Sequence, residues 1–402
     1  MTKNILVAAT VAAATLCTIA CTAGQETAEP NAVRMVKSEI IRMPDASMID
    51  FNTALKWNYT HGLELQSFML AAAQHPEIAQ TVWDYATAYL DTIIAPDGQI
   101  RKYKVANFTL DHVNPGKMLF IAYDRTPDPR YRTAMDTLYK QLTLHPRVAE
   151  GGFWHKKAYP HQMWLDGIYM EAPYYAEYAA RFLTGDGQKA AFDDVVNQFR
   201  VCYAHTYDPA NGLLRHAWDE SKEQKWADPE TGQAPHVWGR ALGWYCMALV
   251  DVLGILPQDY EGRAVLLEQL NALAPALAKI QDKDTGAWYQ VLDQGQREGN
   301  YLETSCTSMF AYTFLKAAKN GWLPAEYWET GMKALDGLNR NFIREDADGT
   351  ISLTRVCGVA GLGGTPYRDG SFEYYVGEII RDNDPKGVGP YIMASLLAEQ
   401  GK

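Results

Sequence analysis

No Cys-x-x-Cys pair, no block of Lys or Arg, and no long apolar run past residue 20 occurs in this 402-residue chain. Each absence removes a class of function. Without paired cysteines at ligand spacing, a zinc module or a redox dithiol is excluded. The net charge of −11, from 37 basic and 48 acidic residues, and the missing basic block argue against a nucleic-acid partner. Also missing are His-Glu-x-x-His, a P-loop and a dinucleotide Gly motif between strand and helix. No Gly-x-Ser-x-Gly elbow is found, and Gly361-Leu-Gly-Gly is a loop rather than a cofactor box. Neither a cofactor nor a metal is expected.

The one long apolar run is at the start. Lys3 is followed by Ile5 to Ala20, then Thr-Ile-Ala-Cys ending at Cys21. This pattern reads as a bacterial export signal over 1–20 with lipoprotein-type cleavage before Cys21. Thr18 replaces the usual Leu three residues before the cysteine, so plain secretion is the alternative. Residues 21–45 are expected to be a tether, and 46–402 one domain. The expected location is therefore outside the cytoplasm, in the periplasm or on the outer membrane. The only expected membrane contact is a lipid on Cys21. Cys202, Cys246 and Cys306 fall in apolar helical stretches and read as buried thiols.

Past residue 45 the apolar spacing is helical almost throughout. Twelve helices are expected, at about 50–74, 78–94, 111–123, 129–145, 163–183, 187–205, 237–255, 262–280, 303–319, 324–342, 373–381 and 388–399. Between pairs, a Gly turn and a short alternating strand recur: at Gly98, Gly151-Gly152, Gly212, Gly286 and Gly349. The interval is roughly 50 to 75 residues, the mark of a repeat fold. Some of these turns are Asp-rich, but Arg344 and Arg355 stand where EF-hand ligands would be, so they read as turns. Six hairpins either close into an all-α (α/α)6 barrel or stack as an open solenoid. In a closed ring, Asp111, Asp166, Trp238, Arg240 and Glu303 share one rim. The positive ends of several helices then face that rim, which suits an anionic ligand.

The richest segment is Tyr159-Pro-His-Gln-Met-Trp-Leu-Asp-Gly-Ile-Tyr-Met170. It sets Asp166 at a helix start amid Met163, Trp164, Tyr169 and Met170. Asp166 is either a helix cap or a general acid, because desolvation favours the protonated form of a carboxylate. Asp111, in Leu-Asp-His-Val-Asn-Pro-Gly-Lys, is a cap or the second carboxylate of a glycosidic centre. Arg240 lies between Trp238 and Trp244; it either grips a carboxylate in two-pronged fashion while a ring stacks on a sugar, or is a buried Arg closing a helix-end ion pair. His155 and His216 follow short strands on rim loops and are candidate sugar donors. Trp57, Tyr59 and His61 form a further candidate stacking wall.

Taken together, Asp111-His-Val-Asn-Pro-Gly, Tyr159-Pro-His-Gln-Met-Trp-Leu-Asp-Gly, Trp238-Gly-Arg-Ala-Leu-Gly-Trp, Glu303-Thr-Ser, Arg368-Asp-Gly-Ser-Phe-Glu-Tyr-Tyr and Gly387-Val-Gly-Pro resemble the unsaturated rhamnogalacturonyl hydrolases, glycoside hydrolase family 105. The resemblance spans about Trp57 to Leu397 and extends to the unsaturated glucuronyl hydrolases. It implies an (α/α)6 barrel and a lyase-made oligosaccharide ending in a 4,5-unsaturated uronic acid, with rhamnose as the leaving sugar in the type case and pectin as the default source. It implies that Asp166 is the acid/base, protonating C4 and helping water add at C5, and that Asp111 is the second carboxylate. Tyr59, His155, His216, Trp238, Arg240 and Trp244 would line the sugar subsite, while Glu303 has no implied role. The rim loops, notably Lys156, Lys157 and residues 219–233, would select the uronide. A non-catalytic glycan-binding lipoprotein and an inverting glycosidase on the same fold are the competing expectations.

Overall fold

The computed structural model describes residues 29–402; the expected export signal and Cys21 lie outside that range. Helices alternate between an inner and an outer ring. The inner ring is α2 (Tyr59–Gln74), α4 (Gly116–Arg125), α6 (Leu165–Phe182), α8 (Gly239–Ile255), α10 (Thr304–Lys319) and α13 (Pro385–Gln400). The outer ring is α1 (Asn31–Arg42), α3 (Pro76–Ile93), α5 (Pro129–Leu144), α7 (Gly185–Thr206), α9 (Arg263–Lys279) and α11 (Tyr327–Asn341). Each inner helix packs on the next, and α13 packs back on α2. The ring is closed, which decides against the open solenoid.

Residue pattern explains the sorting. From Gly239 to Leu253 every residue of α8 except Asp251 is buried, as expected of a helix walled in on all sides. Outer α11 instead buries one stripe, Trp328, Gly331, Ala334, Leu335 and Leu338, at three- and four-residue spacing. Asp384 caps α13 through the Lys386 amide, and Pro385 fills the first helical position, where no N–H is needed. The five repeat turns all have their glycine at positive φ, from 74° to 90°, a conformation that disfavours other residues.

Two expectations need correction. Asn31–Arg42, placed in the tether, is a helix whose Ala32, Val33, Met35 and Val36 are buried against α13 and its surroundings. Its apolar stripe follows directly on a small polar stretch, which hides it in the sequence. The sixth hairpin therefore differs from the expected pairing of 373–381 with 388–399. The segment expected to be its first helix is α12 (Phe372–Gly377), six residues capped by Ser371 and lying in a rim loop. It is α1, from the other end of the chain, that packs on α13 and completes the twelve.

Short antiparallel strand pairs tie the rim loops together. Gln162–Trp164 pairs with Ala217–Asp219, with Trp164 opposite Ala217. The Leu165 amide also donates to the His216 carbonyl at 3.1 Å. That pairing fixes the loop before α6 against the loop that carries His216. All four described cysteines, Cys202, Cys246, Cys306 and Cys357, are buried free thiols, as expected for three of them. Among the described residues no helix is long and apolar enough to cross a membrane.

Candidate active site

The N-terminal ends of the inner helices converge on one rim. Asp166 lies in the first turn of α6. Asp111 lies in the 3-10 turn Leu110–His112 that leads into α4. Trp238 caps α8, with Arg240 inside its first turn. Gly167 permits the close approach of these parts. A Cβ there would come within 3.1 Å of both His155 Nδ1 and Leu110 Cδ1.

The two carboxylates live in different surroundings. Asp111 Oδ2 is 2.5 Å from Lys156 Nζ, and Oδ1 is 3.5 Å from His155 Nε2. Burial pushes the Asp111 carboxyl up, but the Lys156 ammonium and the neighbouring His155 outweigh it and hold it below the ordinary carboxylate range. His155 is itself pushed down to about 4 by burial, despite Asp111. It is therefore neutral near pH 7, and Lys156 is the charge that keeps Asp111 ionised. Asp166 has no such cation. Its Oδ2 lies 3.2 Å from His216 Nε2, yet the angles make no hydrogen bond, and both atoms are buried without a partner.

Aromatic rings connect the two. Trp164 is stacked between His155 (4.6 Å, 11°) and Tyr159 (5.0 Å, 8°), and meets His216 edge-on at 5.3 Å. Stacked pairs of this kind contribute about 0.5–1.5 kcal/mol beyond burial, which holds the imidazoles in place. His216 Nδ1 is 2.7 Å from the Tyr375 hydroxyl. Burial keeps that phenol protonated. In the tautomer that accepts from Tyr375 at Nδ1, Nε2 carries the proton and faces Asp166.

The other expected residues divide. Trp238 packs against His216 at 4.9 Å and Tyr375 at 6.0 Å. The buried Arg240 guanidinium sits 4.9 Å from the Trp238 ring and donates to the carbonyls of Cys357 (2.5 Å) and Gly358 (3.3 Å). Trp244 does not flank it on the rim. Four residues on, it lies about 6 Å deeper along α8, stacked on Tyr169 at 4.8 Å and edge-on to Tyr59 at 6.3 Å. Tyr59 feels Asp111 and Arg240 together: burial and the Asp111 charge hold its phenol protonated, against the Arg240 cation. Glu303 has a clear task. It accepts from Ser305 N and Oγ, Cys306 N and Cys357 N, capping α10 and fixing the loop that Arg240 also grips. Trp57 and His61 are buried supports rather than a stacking wall: Trp57 donates to the His112 carbonyl, and His61 stacks on Tyr89.

Sequence reasoning gave no role to Tyr375 or Arg368. Both lie in the quoted stretch Arg368-Asp-Gly-Ser-Phe-Glu-Tyr-Tyr. Arg368 donates to the Tyr159 hydroxyl at 3.0 Å, so this loop reaches the Trp164 stack. A cavity of about 570 Å³ is lined by Asn107, Thr109, Lys156 and Lys157 among others.

A family model described as Glycosyl Hydrolase Family 88 matches residues 31–400, starting at the first residue of α1. The chain belongs to glycosyl hydrolase family 88. The family 88 chain is also 42% identical to a solved glycoside hydrolase of family 105 from C. acetobutylicum, with a TM-score of 0.87 over 92% of this chain and 100% of that one. A 24.9 kDa protein of Rhizobium radiobacter is 41% identical over 231 residues, 56% of this chain and 96% of its own. The unsaturated rhamnogalacturonyl hydrolase YesR of Bacillus subtilis is 25% identical over 221 residues, 52% of this chain and 59% of its own. This family 88 chain is thus a glycoside hydrolase, and the resemblance to family 105 holds.

Proposed function

We propose that this glycoside hydrolase removes a 4,5-unsaturated uronic acid from the non-reducing end of oligosaccharides made by a polysaccharide lyase. The observation that carries the reading is the contrast at the rim: one carboxylate, Asp111, held ionised by Lys156, and another, Asp166, that accepts no protein hydrogen bond. Proton transfer to carbon needs a carboxyl group that the protein has not tied up.

In this mechanism Asp166 gives its proton to C4 of the ring vinyl ether. Positive charge develops at C5 and on the ring oxygen. Asp166, now a carboxylate, takes a proton from water as the water oxygen bonds to C5. The hemiketal opens by breaking its bond from C5 to the ring oxygen, leaving a ketone at C5. C1 then collapses to an aldehyde, and the leaving sugar departs with a proton. Asp111 stabilises the positive charge, and His216, oriented by Tyr375, stands 3.2 Å from Asp166 on its protein side. Arg240 and the helix N-termini favour the uronate charge.

Unsaturated galacturonyl-rhamnose from pectin is the proposed substrate, in keeping with the name that YesR carries. The proposed setting is outside the cytoplasm, with a lipid on Cys21; palmitate labelling that survives Cys21→Ala would overturn the anchor. The test of the activity is loss of the ultraviolet absorbance of the C4=C5 bond from a set of lyase products. Unchanged absorbance with tight binding would leave a glycan-binding protein. Sugar release from saturated substrates would leave an ordinary glycosidase.

A further inference from the structure

The inner helices carry a second set of residues three turns below the rim. Tyr59, Asp166, Arg240, Ser305 and Lys386 belong to the N-terminal ends; eleven residues on stand Leu70, Glu177, Asp251, Lys316 and Leu397. Eleven residues turn a helix about 1,100°, three turns and 20°, and advance it about 16 Å. The same helix faces therefore reappear at the opposite end of the barrel. There they line a cavity of about 820 Å³, to which Lys117 also contributes. Its wall is mostly apolar, with Leu70, Phe120, Ile121, Pro173, Trp322 and Met393.

One cation in this cavity has no hydrogen-bond or ion-pair partner among the described residues. Lys316 is paired with Asp251 at 2.6 Å, and Tyr312 donates to the same carboxylate at 2.7 Å. Arg181 is paired with Glu177 and Asp124. Lys117 is 5% exposed, and its ammonium has no hydrogen-bond partner among the described residues. It rests 3.5 Å from the centre of the Tyr169 ring, whose buried hydroxyl is also unpartnered. Burial pushes Lys117 down to about 7, against the pull of Asp251. An unpaired buried cation is destabilising, and an anion beside it would restore both its charge and its hydrogen bond.

We infer that this far-end cavity is a binding site for an amphiphilic monocarboxylate, with the carboxylate on Lys117 and the apolar body against Leu70, Phe120 and Trp322. One unmatched positive charge calls for one negative charge. The apolar wall calls for an aliphatic or aromatic body rather than a sugar. The site is separate from the catalytic rim and stands whether or not the proposed substrate is right.

The probe is octanoate, titrated calorimetrically into the purified chain, with octanamide as its neutral match. Saturable one-site binding of octanoate is expected, with octanamide weaker by about tenfold or more, the value of a charge-assisted hydrogen bond. Lys117→Met should lose octanoate by a similar factor while melting no lower than the parent. Gly254→Leu fills the cavity from α8, where a Cβ meets nothing closer than 3.7 Å; it should abolish binding with an unchanged circular dichroism spectrum. No saturable binding, equal binding of octanamide, or octanoate binding untouched in both variants would overturn the inference.

Discussion

Asp111 and Asp166 belong to one rim, yet the protein treats them oppositely. Asp111 is pinned by an ammonium at 2.5 Å and kept ionised. Asp166 faces an imidazole at 3.2 Å without a hydrogen bond. A carboxylate with a fixed cation is suited to holding negative charge throughout a reaction. A carboxylate with an unsatisfied neighbour is suited to changing its protonation state. Division of labour between paired carboxyls arises from such environments.

The largest expected effect breaks the comparison at its acid. Asp166→Asn should lower kcat by about 10³-fold or more, with substrate binding retained and Tm little changed. Asp111→Asn should lower kcat less, by about 10²-fold, and should lower Tm as well, because Lys156 loses its partner. Measuring both rates and both melting curves sharpens the contrast; a larger kinetic loss at Asp111 than at Asp166 would exchange the roles.

Next comes the support of Asp166. Tyr375→Phe removes the hydrogen bond that orients His216. The expected loss is about tenfold in kcat with KM nearly unchanged, the size of one modest hydrogen bond. A change confined to KM would make Tyr375 a sugar contact instead.

The last effect is on stability rather than rate and belongs to the Asp111 side. His155 is pushed down to about 4 in the folded protein from an ordinary 6.5. Below pH 6.5 the unfolded chain takes up a proton that the folded chain refuses until about pH 4. The stability tied to His155 is therefore intact above pH 6.5 and falls away towards pH 4, by up to about 3 kcal/mol. His61 and His145, also pushed down to about 4, add to the same slope. Denaturation midpoints should fall accordingly from pH 7 to 4, and His155→Gln should flatten that pH dependence.

Much of this was legible in the chain. Helical spacing and recurrent Gly turns announced a ring of hairpins, and Trp-Leu-Asp-Gly drew attention to Asp166. The glycine of that motif proved to be a spacer for His155. Other features were illegible for physical reasons. Ring closure depends on α13 meeting α2 across more than 300 residues, and no local pattern encodes that contact. Trp244 looked like a wall for Arg240 because six residues separate the indoles Trp238 and Trp244. Only the packing of α6 against α8 shows that it turns inward to Tyr169. Glu303 could be placed on the rim but given no role, because its four donors come from Ser305, Cys306 and the distant Cys357.

The central claim is that Asp166 delivers a proton to carbon, and hydrolysis of an unsaturated galacturonyl-rhamnose in heavy water tests it most directly. Nuclear magnetic resonance of the released uronic acid reports where deuterium enters. The account predicts deuterium at C4 and loss of the ultraviolet absorbance with the parent enzyme, and neither with Asp166→Asn. Release of rhamnose with the C4=C5 bond intact and no deuterium at C4, or full deuterium transfer by Asp166→Asn, would contradict it.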